Sequence, residues 1–181
     1  MKTPHLLLLL GAALLWAGQT RAATPQAKAA LVQARDAAAA TYKAARARCD
    51  AITGNPKDVC IAEAKAEQVR AQEEANAAYD DTLAGYTRAR LRIASANYER
   101  DKTRCAAVTG NDRDVCVAQA KATLVAAEAD ARADRKTMEA RAEAREDKLT
   151  AAYRVAMEKC DAYAGAAKDQ CVTAAKTAYG K

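Results

Sequence analysis

The chain writes one line twice and a worn copy of it a third time. The lines are YKAARARCDAITGNPKDVCIAEAKAE from Tyr42, YERDKTRCAAVTGNDRDVCVAQAKAT from Tyr98 and YRVAMEKCDAYAGAAKDQCVTAAKTA from Tyr153. All six cysteines fall inside these copies, and in each copy ten residues separate the first from the second. Any fold must therefore build the same local arrangement three times, over residues 42–67, 98–123 and 153–178.

Each copy reads as a joint between two helices. Gly54, Gly110 and Gly165 stand where a preceding helix would end in a left-handed residue, which glycine adopts without a Cβ clash. Asn55 and Asn111 follow, placed to cap the next helix with a side-chain oxygen. Pro56 takes the first helical position, where its missing N–H costs nothing. Asp58, Asp114 and Asp169 bring negative charge to the positive end of that helix. Ala166 stands at the cap position of the third copy, which predicts the weakest of the joints.

The cysteines flank each joint by about one helical turn. Packed helices lie about 8–10 Å apart, and alanine faces favour the short end. Subtracting two Cα radii of about 2.3 Å leaves facing Cα atoms roughly 4–6 Å apart, inside the window for a disulfide. The spacing therefore predicts Cys49–Cys60, Cys105–Cys116 and Cys160–Cys171. Many other pairings of six cysteines are formally available, but only the local one is the same in every copy. Closing a loop of this size is worth about 3 kcal/mol per staple. Zinc sites and redox motifs call for closely spaced cysteines, often with histidine, and this spacing offers neither.

The remaining composition points to helices with a thin core. Apolar residues make up 51% of the chain, but most are alanine and there is no phenylalanine. Alanine is the best helix former because it loses no side-chain entropy and hides no polar group. After the N-terminal segment only Pro25, Pro56 and a few glycines interrupt. The fold class expected is all-α: long antiparallel helices in an elongated bundle or coiled-coil rod, joined by three disulfide-stapled hairpins. The second helix is expected to run unbroken from Pro56 to about Thr109, and the third from Asp112 to Ala162, each roughly 75–80 Å long. That arrangement puts the first and third joints at one end of a tapered rod and the second at the other. Gly85 is the one interruption in the second helix, and a kink there with a matching break would fold the chain into a shorter bundle; the rod is the favoured expectation. The stretch Ala126–Lys148 has Met138 as its only large apolar residue and is expected to be helical but mobile.

Residues 1–22 read as a secretory signal peptide, with Lys2 as charged start, Leu6 to Leu15 as apolar run and Thr20-Arg21-Ala22 at the cleavage site. The run falls short of the roughly 20 apolar residues a spanning helix needs. What remains, residues 23–181, is expected to be a single helical repeat domain with no membrane span. The only histidine, His5, and the only tryptophan, Trp16, belong to the leader. The mature chain thus lacks the commonest general acid-base and metal ligand.

Lys2 and Arg21 are the only charges before Ala22, so the mature chain keeps 27 basic and 23 acidic residues, about +4. The two signs are interspersed, which reads as a solvated helical surface rather than a nucleic-acid footprint. No glycine-rich phosphate loop, no nucleophile with a base and no metal cluster is legible. The expectation is a protein without enzymatic activity and without a cofactor. Tyr42, Tyr98 and Tyr153 lie seven residues before the first cysteine, on the same helical face, and read as core aromatics above each staple. Lys65, Lys121 and Lys176 lie five residues after the second cysteine and read as solvated.

The line RCxAxTGNxxDVCxxxAKA, as it stands at Arg48–Ala66 and Arg104–Ala122, resembles that of exported alanine-rich proteins of beta-proteobacteria. These are loosely labelled TolA-like or cell-envelope proteins. True TolA differs, with a retained anchor and no repeated cysteine joints. The resemblance covers the three joints, about half of the mature chain. It implies a periplasmic address and a helical fold, and no catalytic residue. Two functional expectations follow. One is a periplasmic structural or interaction protein, a stapled spacer that docks an envelope protein. The alternative is a binding module for anionic envelope polymers, through Arg88, Arg90, Arg92, Arg100, Lys102 and Arg104, which outnumber Glu99 and Asp101 in their segment. Alanine-faced helices can pair between chains as well as within one, so the sequence leaves oligomeric state open.

Overall fold

In the computed structural model, which describes residues 24–181, the chain is helical almost throughout and the described residues contain no strand. The expected leader lies outside the described residues. Helix α1 spans Pro25–Arg48, α2 Asn55–Asp80, α3 Leu83–Arg104, α4 Gly110–Cys160 and α5 Gly165–Tyr179. Thr24 opens α1 by accepting the Ala27 N–H on its Oγ1 at 3.1 Å, with Pro25 in the first turn. Short 3₁₀ turns, Cys49–Ala51 and Cys105–Ala107, close α1 and α3.

The favoured unbroken second helix is corrected, and the alternative of a fold-back near Gly85 holds, with the break a few residues earlier. The chain reverses between α2 and α3 through Asp81 and Thr82, and the two helices pack against each other along their length. Asp81 sits in the left-handed region at φ 44°, a conformation that aspartate tolerates better than most residues. Thr82 caps α3, its Oγ1 accepting the Gly85 N–H at 2.9 Å. Gly85 is not a kink. It is buried in the first turn of α3, where an added Cβ would lie 2.9 Å from the Asp80 Cβ. The glycine lets the incoming and outgoing helices approach.

Reversal at Asp81 moves the joints. The first and second now lie side by side at one end, tied by Asn55 Nδ2, which donates to the Thr103 carbonyl at 2.9 Å. The third lies at the far end of α4, whose 51 residues extend about 75 Å. Helices α1 to α4 form an open array in which each packs on its neighbours in the chain, and α5 folds back onto the distal part of α4. Between those two covered parts, residues 132–149 of α4 are exposed on every side. The expected weak stretch therefore coincides with a single unaccompanied helix.

The core is as thin as the composition suggested. Apart from Leu124, the buried apolar residues among those described are alanines and cysteines, and the largest fully buried side chains among them are Cys49, Cys105 and Cys160. The staples are thus the central packing elements as well as covalent locks.

Candidate functional site

The three disulfides form as the spacing predicts. Cys49–Cys60, Cys105–Cys116 and Cys160–Cys171 have Cα–Cα distances of 5.7, 5.6 and 5.6 Å. In each pair the first cysteine is buried, and its partner on the next helix is partly exposed. Gly54, Gly110 and Gly165 all have positive φ, as expected, but they open the following helix rather than close the preceding one. The asparagine caps are a second correction. Asn55 and Asn111 lie within the first turn of α2 and α4, and neither helix receives a side-chain cap bond. Asn55 turns instead to α3, because the neighbouring joint presents it with the Thr103 carbonyl.

Above each staple the tyrosine is half-buried, and the repeated lysine meets it in the first two copies. Lys65 Nζ lies 5.5 Å from the Tyr42 ring centroid, and Lys121 Nζ 5.5 Å from that of Tyr98. A cation over an aromatic face is worth about 0.5–1 kcal/mol at an exposed site. These lysines are therefore not merely solvated, which only the pairing of the two helices could reveal. In the third copy Tyr153 meets Tyr179 edge-on instead, with centroids 6.0 Å apart.

Ion pairs span two of the joints. Asp50 accepts from Arg46 at 3.0 Å and lies 3.3 Å from Lys57 across the first loop. These hydrogen bonds, first with Arg46 and then with Lys57, hold its carboxyl below the ordinary carboxylate value. At the equivalent place in the third joint Lys168 lies 2.8 Å from Asp161, whose hydrogen bond raises the ammonium pKa. The second joint carries Ala106 where the others have aspartate. At the tip of α5, Lys181 reaches Glu146 at 2.6 Å and lowers its carboxyl.

Each of the six basic residues considered for polyanion contact is engaged with a carboxylate. Arg88 bonds Asp80 across the turn. Arg90 bonds Asp134 of α4 at 2.6 Å, and Arg92 bonds Glu73 of α2 at 2.9 Å. Arg100 pairs with Asp101 at 2.9 Å, and that bond raises the guanidinium pKa. Lys102 lies 3.9 Å from Glu99, and Arg104 bonds Glu63 of α2 at 2.6 Å. Four of these pairs tie α3 to α2 or α4. Glu73 is the one charged residue buried among those described, 8% exposed, and nothing in its local sequence marked it. It became visible only when α3 folded back and brought Arg92 opposite.

The same reversal creates a trough over α2 and α3. One part, about 670 Å³, is lined by Tyr42, Ile61, Lys65, Val69, Ala96 and Arg100. A second part, about 640 Å³, adds Glu73, Leu91 and three arginines, Arg88, Arg92 and Arg135. Both share Val69, Ser95 and Ala96, so they are continuous. The floor is apolar and one end is rimmed by arginine. Among the described residues no group of three His, Cys, Asp or Glu side chains could hold a metal, and no helix is long and apolar enough to cross a membrane. Compared with models of known families, with curated proteins and with solved structures, the chain matches none.

Proposed function

We propose that this chain is a structural and interaction protein of the periplasm, a disulfide-stapled helical spacer without catalytic chemistry. The observation that carries the reading is the division of labour along α4. One end is fixed in a four-helix array by two staples, the other carries a third stapled joint, and a bare helix separates them. Disulfides persist in oxidising compartments, and a core built of alanine and cystine depends on them.

The docking points offered are the paired joints at one end and the stapled joint at the other. The polyanion alternative draws less support, because a carboxylate stands beside each basic residue of α3 and leaves the segment little net positive field to gather a polymer. The test is crosslinking in intact cells from a photoreactive residue at Tyr163 in the third joint and at Val108 in the second. Both side chains are exposed. Discrete crosslinked envelope proteins at either end support the spacer reading. Crosslinks absent from both ends, together with salt-sensitive retention on isolated envelope polymer, replace it with the polyanion reading.

A further inference from the structure

Helix α4 carries one continuous seam. Leu124 and Ala131 are buried in the part that lies along α3, and Cys160 is buried in the part that lies along α5. At 100° per residue, Met138, Ala142 and Leu149 fall within about 40° of the same line. Among the described residues only the ion pairs of Asp134 with Arg90 and of Glu146 with Lys181 reach this middle section, where Met138 is 52% and Leu149 41% exposed. Glu139, Glu143 and Glu146 run along one flank of it, Glu139 paired with Arg135 at 2.7 Å and Glu146 with Lys181 at 2.6 Å, which leaves Glu143 to face outward.

The trough over α2 and α3 offers the complement. It has an apolar floor of Val69, Leu91 and Ala96 and an arginine rim at Arg88 and Arg92 of α3, beside Arg135 of α4, which is itself bonded to Glu139. From Arg88 to Thr103 it follows α3 for about 22 Å, and the 18 exposed residues of α4 extend about 27 Å. The rim arginines keep surface to share: the Arg92 side chain is 61% exposed although it bonds Glu73, and that of Arg88 is 55% exposed. Exposed ion pairs are weak enough to be exchanged or extended by an incoming carboxylate.

We propose that two copies of this chain pair reciprocally, each laying the bare middle of its α4 into the trough of the other. An isologous, two-fold arrangement uses both elements in both copies and so doubles a contact that alone would be small. It also explains why a seam built to be covered is left open in the single chain. Glu143 of the flank meets Arg88 and Arg92 of the rim, which sets the orientation of the incoming helix.

Sedimentation equilibrium of the oxidised protein tests this, with helicity followed by circular dichroism. A dimer is expected. Arg88→Glu or Glu143→Arg alone raises its dissociation constant about tenfold, on the scale of one lost charge pair. The two together restore it. Ser95→Tyr, which fills the trough without removing an ion pair, gives the same loss as the single charge reversals. A monomer at every concentration overturns the proposal. So does a dimer that Met138→Asp weakens while Ser95→Tyr and Arg88→Glu do not, since the α4 helices would then pair with each other.

Discussion

Removing the third staple should release α5 and little else. The perturbation is Cys160→Ser with Cys171→Ser. The bridge closes a loop across a sequence separation of 11, and a chain-entropy argument gives such a closure about 3 kcal/mol. What remains to hold α5 is slight: one buried residue, Ala175, the edge contact between Tyr153 and Tyr179, and the exposed Lys168–Asp161 and Lys181–Glu146 pairs. A helix of 15 residues is marginal alone in water, so this packing cannot replace the staple. Opening of α5 should therefore become roughly 100-fold more favourable, about 3 kcal/mol at 1.4 kcal/mol per tenfold. Hydrogen exchange read by mass spectrometry at pH 7 would show this as lost protection confined to 165–179 and the distal turns of α4. The matching change, Cys49→Ser with Cys60→Ser, should leave α2 protected, because α2 also packs along α3. Unchanged protection of α5 in the first variant would refute the reasoning, and would mean that non-covalent packing is sufficient there.

Other outcomes follow from the same geometry. Gly85→Ala should destabilise by about 1–3 kcal/mol through the clash with Asp80, and Gly165→Ala by about 1–2 kcal/mol through its positive φ alone; thermal denaturation reads both, and an unchanged midpoint would contradict the turn geometry. Arg92→Ala should cost about 1–3 kcal/mol, because buried Glu73 loses its partner, whereas Arg90→Ala should cost less than about 1 kcal/mol because its pair with Asp134 is exposed. Equal costs in urea unfolding would show that Glu73 finds another partner. The acid limb should involve Asp50 and Glu146: both are lowered on folding, so their contribution is present above their ordinary values of 3.8 and 4.5 and is lost as pH falls through the lower folded values. Lys168 is raised, so its contribution is complete below its ordinary value of 10.5 and fades as pH rises through the folded value. Thermal midpoints measured from pH 2 to 12 check the signs; Asp50→Asn combined with Glu146→Gln should flatten the acid limb, and a limb left unchanged would assign it to other carboxylates.

The joints were legible because their determinants are local. A cysteine pair, a glycine and the residues between them lie within one short loop, and their spacing fixes the distance between two packed helices to within the reach of a disulfide. The capping of these helices was less legible. The sequence offered Asn55 as a cap, but a hydrogen-bond acceptor on α3, 48 residues away, took its side chain. The turn after Asp80 left a faint signal, a threonine followed three residues later by glycine, without the proline or glycine at the bend that usually announces a reversal. Reading Thr82 as a cap would have found it.

The sequence by itself determined the helical class, the three staples and the thinness of the core, since each depends on residue type and short spacing. Only the tertiary structure decided where the chain turns back between the first and second joints, and with it which end each joint occupies. That choice rests on the broad packing of α2 against α3 and on pairs such as Arg92 with Glu73 and Arg104 with Glu63. The partners in those pairs stand 19 and 41 residues apart. Charges so distant in a chain this rich in them have many combinations open to them, and the packed helices select among these by bringing particular faces together.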